Sequence, residues 1–145
     1  KSGVAKRVTF LGPVAGADKA ALLRGAAILV LPSLSENFGN VVLEAMAAAC
    51  PVVVTPEVGL ARVVAESGAG VVTAGDPEAL GKTLRAMLRD KSELERMGRR
   101  GRERALRDFT WDAVAVQMES AYREILQGVG MTSTVRGDQA SHGWI

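Results

Sequence analysis

Four short apolar runs, separated by segments with helical signals, restrict what this chain can fold into. The runs are Val8-Thr9-Phe10-Leu11-Gly12, Ala27-Ile28-Leu29-Val30-Leu31, Pro51-Val52-Val53-Val54-Thr55 and Gly70-Val71-Val72. Near-continuous apolar strands belong in a parallel sheet covered on both faces. Gly12-Pro13 and Pro32 stop the first two. Helices fit between the runs: one capped by Asp18 and reaching about Arg24, one from about Gly39 to Ala49, and a short one from about Leu60 to Glu66. Strand–helix alternation of this kind predicts an α/β fold, a Rossmann-like parallel sheet of about four strands with right-handed crossovers. In such sheets ligands bind at the carboxyl ends of the strands, beside helix N-termini.

After the fourth run the pattern becomes wholly helical. Asp76-Pro77-Glu78 supplies a cap, a proline at the first helical position and an acidic first turn. Ser92-Glu93-Leu94-Glu95 has the capping-box pattern, and Thr110 can cap a last helix to about Leu126. From Gln127 onward the text is polar and rich in Gly and Ser. The expected organisation is one domain over 1–127 and a loose polar tail over 128–145.

At 145 residues, 48% hydrophobic and 23% charged, the chain is a foldable globular sequence of single-domain size. A net charge of +2 is too small to argue for nucleic acid. The single cysteine, Cys50, excludes an internal disulfide and agrees with a reducing, cytoplasmic setting. No apolar run approaches the roughly 20 residues of a membrane span. One His and one Cys do not make a metal site of three or four ligands, so no metal and no cofactor are expected. Cys50 reads as a small buried hydrophobe and His142 as an inert tail residue.

The chemistry concentrates in Ser35-Glu36-Asn37-Phe38-Gly39-Asn40-Val41-Val42-Leu43-Glu44-Ala45-Met46, directly after the second run. Gly39 lets backbone approach a ligand, and the amides of Asn40 and Val41 stand free where a helix begins. A helix N-terminus favours phosphate, so Phe38 to Val41 is a candidate diphosphate seat. Glu44, about one and a half turns into the helix, is placed to accept hydrogen bonds from both hydroxyls of a ribose. Glu36, on the loop, can face a second sugar. The plainer readings are a loop acid favoured by the helix dipole and an exposed helical glutamate.

Glu36-x7-Glu44, with Phe38-Gly39 inside it and Ala45-Met46-Ala47 after it, resembles the signature of retaining GT-B glycosyltransferases, family 4 or "group 1". The likeness extends to VTFLGPV, AAILVLPSLSENFGNVVLEAMAAACPVVVT, GAGVVTAGDPEAL and Phe109-Thr110-Trp111, and covers about residues 7 to 126. It implies part of a C-terminal, donor-binding GT-B domain. In this likeness Glu36 is the catalytic-site residue that faces the donor sugar's hydroxyls, without being assigned as nucleophile. Asn37, Phe38, Gly39, Asn40 and Val41 meet the sugar and diphosphate, and Glu44 holds the ribose. The donor is a nucleoside-diphosphate sugar, UDP- or GDP-linked, and the chemistry needs no metal. The acceptor would be bound mainly by an N-terminal domain. The resemblance also expects an Arg and a Lys on the diphosphate from a segment before Lys1. The chain therefore reads as a truncated piece, inactive by itself and at most a weak nucleotide binder.

Three positions depart from the family pattern. Ala49 stands where Gly is usual, and its methyl is expected to crowd the helix-to-strand turn. Gly59 is followed by Leu60-Ala61-Arg62 and not by the commoner acid. Asn37 is a variant position. Arg96, Arg99, Arg100, Arg102, Arg104 and Arg107 form a basic cluster on one helix. It reads first as a solvated face; the sharper reading is a peripheral membrane contact. Rival functions are a non-catalytic nucleotide-binding or interaction module, an NDP-sugar epimerase of GT-B shape, and a receiver-type domain. The last lacks a phosphorylatable Asp at its strand ends, where Gly12, Ser33, Thr55 and Thr73 stand instead.

Overall fold

The structure is a computed structural model that describes residues 3–127. The expected tail and His142 lie outside the described residues. Two compact units are present, one ending at Thr110 and one beginning at Trp111.

In the first unit a short 3-10 turn over Ala5–Arg7 precedes α1 (Gly16–Gly25), β1 (Leu29–Leu31), α2 (Asn40–Ala47), β2 (Val52–Val54), α3 (Ala61–Ser67), β3 (Gly70–Val72), α4 (Pro77–Met87) and α5 (Lys91–Asp108). The strands form one parallel sheet in the order β1-β2-β3, with Leu29 opposite Val52 and Val52 opposite Gly70. The α/β class and parallel pairing are as expected. The strand count differs: among the described residues the sheet has three strands, because Val8–Gly12 pairs with nothing. An extended run becomes a strand only where a ladder and a covered face offset its ordering entropy. Here Phe10 is 94% exposed and Gly12 turns the chain away at φ 68°.

The central strand explains the unbroken Val52-Val53-Val54 run. All three side chains are fully buried; Val52 and Val54 join the main core, while Val53 points to the opposite face. Val42, Ala45 and Met46 of α2 and Val64 of α3 complete that core. Against it α5 packs with two glycines three apart. A Cβ on Gly98 would lie 2.1 Å from the Ala49 carbonyl oxygen, and one on Gly101 would lie 3.1 Å from Ala69 Cβ. Gly98 and Gly101 thus form a close-approach face on α5.

Helix starts match expectation in one case and shift in two. Asp76 caps α4 by accepting hydrogen bonds from the amides of Glu78 and Ala79, with Pro77 at the first helical position. Asp18 sits inside the first turn of α1, whose cap position is Ala15. On α5 the cap is Asp90, accepting from the Glu93 amide, while Ser92 donates its hydroxyl to Asp90. Asp outcompetes the expected capping box because its carboxylate is a charged acceptor at the dipole's positive end.

The second unit contains α6 (Trp111–Leu126). Its exposed side carries an i,i+4 ion pair, Arg123 to Glu119 at 2.7 Å.

Candidate functional site

The site begins where β1 leaves the sheet. Thr55, 1% exposed, donates its hydroxyl to the Ser33 carbonyl at 2.5 Å, tying the ends of β1 and β2. Further out, the Glu36 amide donates to the Glu57 carbonyl (3.2 Å) and the Gly59 amide to the Glu36 carbonyl (2.8 Å). These bonds form a parallel bridge between Glu36 and Val58 beyond the regular strands. Gly59 is required there, since a Cβ would lie 2.0 Å from the Asn37 carbonyl oxygen. The loop at Gly59 thus serves by its backbone, as the rail along which the Glu36 loop runs. The missing acid does not change that.

Glu36 is half-buried, and one carboxylate oxygen accepts from the Phe38 amide at 3.4 Å. Gly39 follows in the left-handed region, φ 86°, as the cap residue of α2. A Cβ there would be 3.2 Å from Val58 Cγ1 and 3.5 Å from Glu36 Cγ. The Val42 amide is taken by the Gly39 carbonyl at 2.8 Å. The amides of Gly39, Asn40 and Val41 make no hydrogen bond within the described residues. Asn37, Phe38 and Asn40 are exposed beside them. Glu36 to Val41 therefore form one cluster at the carboxyl edge of the sheet, with orphan donors at the positive end of a helix.

Glu44 lies one turn further along α2 and faces α1. Lys19 Nζ is 2.7 Å from its Oε1, both side chains 40% exposed. The pair lines a groove of about 380 Å³ with Arg24, Arg102 and the apolar floor of Ala20 and Leu23. Lys19 was not legible as a partner, because the contact joins residues 25 apart on different helices.

The arginines of α5 have specific partners. Arg100 Nε donates to the Gly68 carbonyl at the end of α3 (2.9 Å) and its Nη2 to Glu93 (2.7 Å). Arg102 donates to the Ala47 carbonyl at the end of α2. Arg96 pairs with Glu93, and Arg104 and Arg107 with Asp108. Basic side chains on the last carbonyls of two helices complement both dipoles. Cys50 is 2% exposed, and burial pushes its thiol above the ordinary range, as for an inert core cysteine. Among the described residues no helix is long and apolar enough to cross a membrane. No group of three or more His, Cys, Asp or Glu gathers there either. A larger hollow, about 820 Å³, opens between Leu11, Val14 and Leu22 and contains none of the expected site residues.

Residues 1–90 match the family model described as "Glycosyl transferases group 1". The chain belongs to this family. It is 41% identical over 123 residues to a D-inositol 3-phosphate glycosyltransferase of Corynebacterium efficiens, covering 84% of this chain and 29% of that protein. It is 38% identical over 125 residues to a phosphatidyl-myo-inositol mannosyltransferase of Mycobacterium leprae, covering 85% and 33%. Among solved structures it resembles sucrose-phosphate synthase from Thermosynechococcus elongatus, with TM-score 0.73 and 33% identity over 86% of this chain and 32% of that one. It also resembles WaaG, a glycosyltransferase involved in lipopolysaccharide biosynthesis, with TM-score 0.59 and 29% identity over 78% and 30%. Both are GT-B glycosyltransferases. The chain spans about a third of the length of these relatives.

Proposed function

We propose that this chain is the donor-binding part of a retaining glycosyltransferase that takes a nucleoside-diphosphate sugar, UDP- or GDP-linked. One observation carries the reading: three unpartnered amides, Gly39 to Val41, stand at the start of α2 next to the Glu36 carboxylate. A diphosphate accepts such donors, and the helix dipole favours its charge. Glu36 then orients the hydroxyls of the transferred sugar, and Glu44 accepts from the ribose.

In the reaction of the whole protein, the bond between anomeric carbon and diphosphate breaks. Negative charge grows on the leaving phosphate as the sugar becomes oxocarbenium-like. The amides of Gly39, Asn40 and Val41 are fixed before that charge develops, so no reorganisation is needed when it appears. Loss of one such donor typically raises a barrier by roughly 2.7–4 kcal/mol. Donor and acceptor held in one geometry supply much of the remainder. The relatives' names point to an inositol phosphate as the kind of acceptor, free or on a lipid at a membrane surface. Work on such an acceptor fits a cytoplasmic enzyme, with Arg99 the member of the α5 cluster left for a peripheral contact.

Amide-resolved NMR of the chain, titrated with UDP, GDP and ADP at millimolar concentration, tests the reading. Selective shifts at Gly39, Asn40, Val41 and Glu44 with one of the three are expected. A folded chain with unchanged spectra in all three titrations defeats it.

A further inference from the structure

The Lys19–Glu44 contact supplies a part of the site that the glutamate signature leaves out. Glu44 is the one expected ligand contact that carries a strong side-chain partner, and that partner comes from a separate helix. Lys19 Nζ engages Oε1 at 2.7 Å; Oε2 has no partner among the described residues. A free glutamate on a half-exposed helix face samples several rotamers. A charge-assisted bond to a lysine on a second helix restricts it to one. The other cations of the groove do not compete for this role. Arg102 donates to the Ala47 carbonyl, and Arg24 makes no hydrogen bond or ion pair with Glu44.

We propose that Lys19 is a positioning residue for nucleoside recognition: it holds Oε1 of Glu44 so that Oε2 faces outward to accept from the ribose diol. This rests on the donor-site reading above and names a residue that sets its ribose specificity. Lys19 itself touches no substrate in this scheme. Its removal lowers the preference for a diol over a sugar lacking one, and leaves the diphosphate seat unaltered.

The test uses whichever of UDP, GDP and ADP the chain binds, together with its 2′,3′-dideoxy counterpart. Affinities for both are measured for wild type, Lys19→Met, Lys19→Arg and Glu44→Gln. Wild type is expected to prefer the ribonucleotide. Lys19→Met should shrink that preference by roughly 1.5-fold to fivefold, the range set by a part-exposed ion pair, with the dideoxy affinity unchanged. Lys19→Arg should restore much of it, and Glu44→Gln should remove it. A Lys19→Met protein with the wild-type preference overturns the proposal and leaves the donor reading standing. So does one that binds the ribonucleotide more tightly, since Lys19 would then be a competitor. Equal wild-type affinity for both nucleotides overturns the role of Glu44 and with it this proposal. No binding of any nucleotide overturns the donor site itself. Amide spectra of each variant show whether the fold is retained.

Discussion

Ala49 and Gly68 hold the same place at the ends of two successive crossover helices. Each is left-handed, at φ 59° and φ 63°. After α2 the Ala49 amide donates to Met46 and the Cys50 amide to Ala45; after α3 the Gly68 amide donates to Ala65 and the Ala69 amide to Val64. Both helices are therefore closed by the same paired bonds, the motif that favours glycine at the left-handed position. One crossover has the glycine and the other does not. The Ala49 methyl is exposed, so the cost lies in the backbone and not in the crowding expected from the sequence.

Ala49→Gly is accordingly expected to stabilise the fold. Relief of the left-handed Cβ contact is worth about 1–2 kcal/mol, and the extra freedom of glycine in the unfolded chain returns part of it. A net gain of about 0.5–1 kcal/mol should appear as a higher denaturant midpoint at unchanged slope. Gly68→Ala should do the reverse and lose more. Its Cβ would come within 2.9 Å of Arg100 Nε, whose bond to the Gly68 carbonyl would have to shift.

Two helical glycines on neighbouring elements separate packing from propensity. Gly98→Ala places a methyl 2.1 Å from a backbone oxygen, so α5 must move off the end of α2. A loss of about 2 kcal/mol or more is expected, in the range of overpacked cores. On α4 the nearest atom to a Cβ at Gly81 is the flexible tip of Arg85, at 3.3 Å. Gly81→Ala should therefore be neutral or stabilise by up to about 1 kcal/mol through helix propensity. Urea unfolding of the two variants checks the contrast; equal effects would mean the α5 contact is looser than the structure has it.

Four exposed or half-exposed carboxylates give the fold a defined acid limit. Arg62 holds Glu66 low, the Ser92 hydroxyl and Glu93 amide hold Asp90, Arg100 and Arg96 hold Glu93, and Arg107 holds Asp108. Each binds its proton less readily folded than unfolded, so the unfolded chain takes up more protons in acid. Their stabilisation is fully present above the ordinary values of 4.5 and 3.8, and is lost as pH falls through the lower folded values. The melting temperature should be flat from neutral pH to about pH 5 and fall below it. Added salt should reduce the amplitude, because these pairs face solvent. Glu93→Gln, which removes the acid shared by two arginines, should flatten the acid limb.

Local signals carried much of this fold in plain text. Asp76-Pro77 starts a helix with groups three residues apart, and Gly39 opens α2 where a small residue was needed. The glutamate signature also located the loop that the structure builds as the candidate site. What was hidden depends on pairs distant in sequence. Val8–Leu11 has a strand's composition, but a strand is made by its neighbour, and no ladder forms there. Gly59 looked like a loop residue and is a contact with Asn37; of the α5 arginines read as a solvated face, Arg100 and Arg102 reach the carbonyls that end two other helices. Lys19 has no local reason to meet Glu44. Short-range chemistry is written in spacing, while close approach between elements appears only once they are packed.

The rail beneath the Glu36 loop yields a sharp separation of fold from site. A Cβ on Gly59 would lie 2.0 Å from the Asn37 oxygen, 2.8 Å from its carbonyl carbon and 3.2 Å from Phe38 Cα. All three are backbone atoms, so no side chain can swing aside. The loop over Glu36 to Phe38 must shift, and the Gly59-to-Glu36 hydrogen bond breaks with it. The core strands and the α2–α5 contact lie away from this rail and should survive, with a stability loss of about 1–3 kcal/mol. Gly59→Ala is therefore expected to retain helical circular dichroism and cooperative melting while losing nucleoside-diphosphate binding. Glu36→Gln keeps the rail and the amides of Gly39 to Val41, so it should bind the bare nucleoside diphosphate as wild type does. Its deficit should appear only as a weakened response to the attached sugar. If Gly59→Ala binds the nucleotide unchanged, the ligand does not rest on this loop, and the diphosphate seat at the start of α2 is wrong.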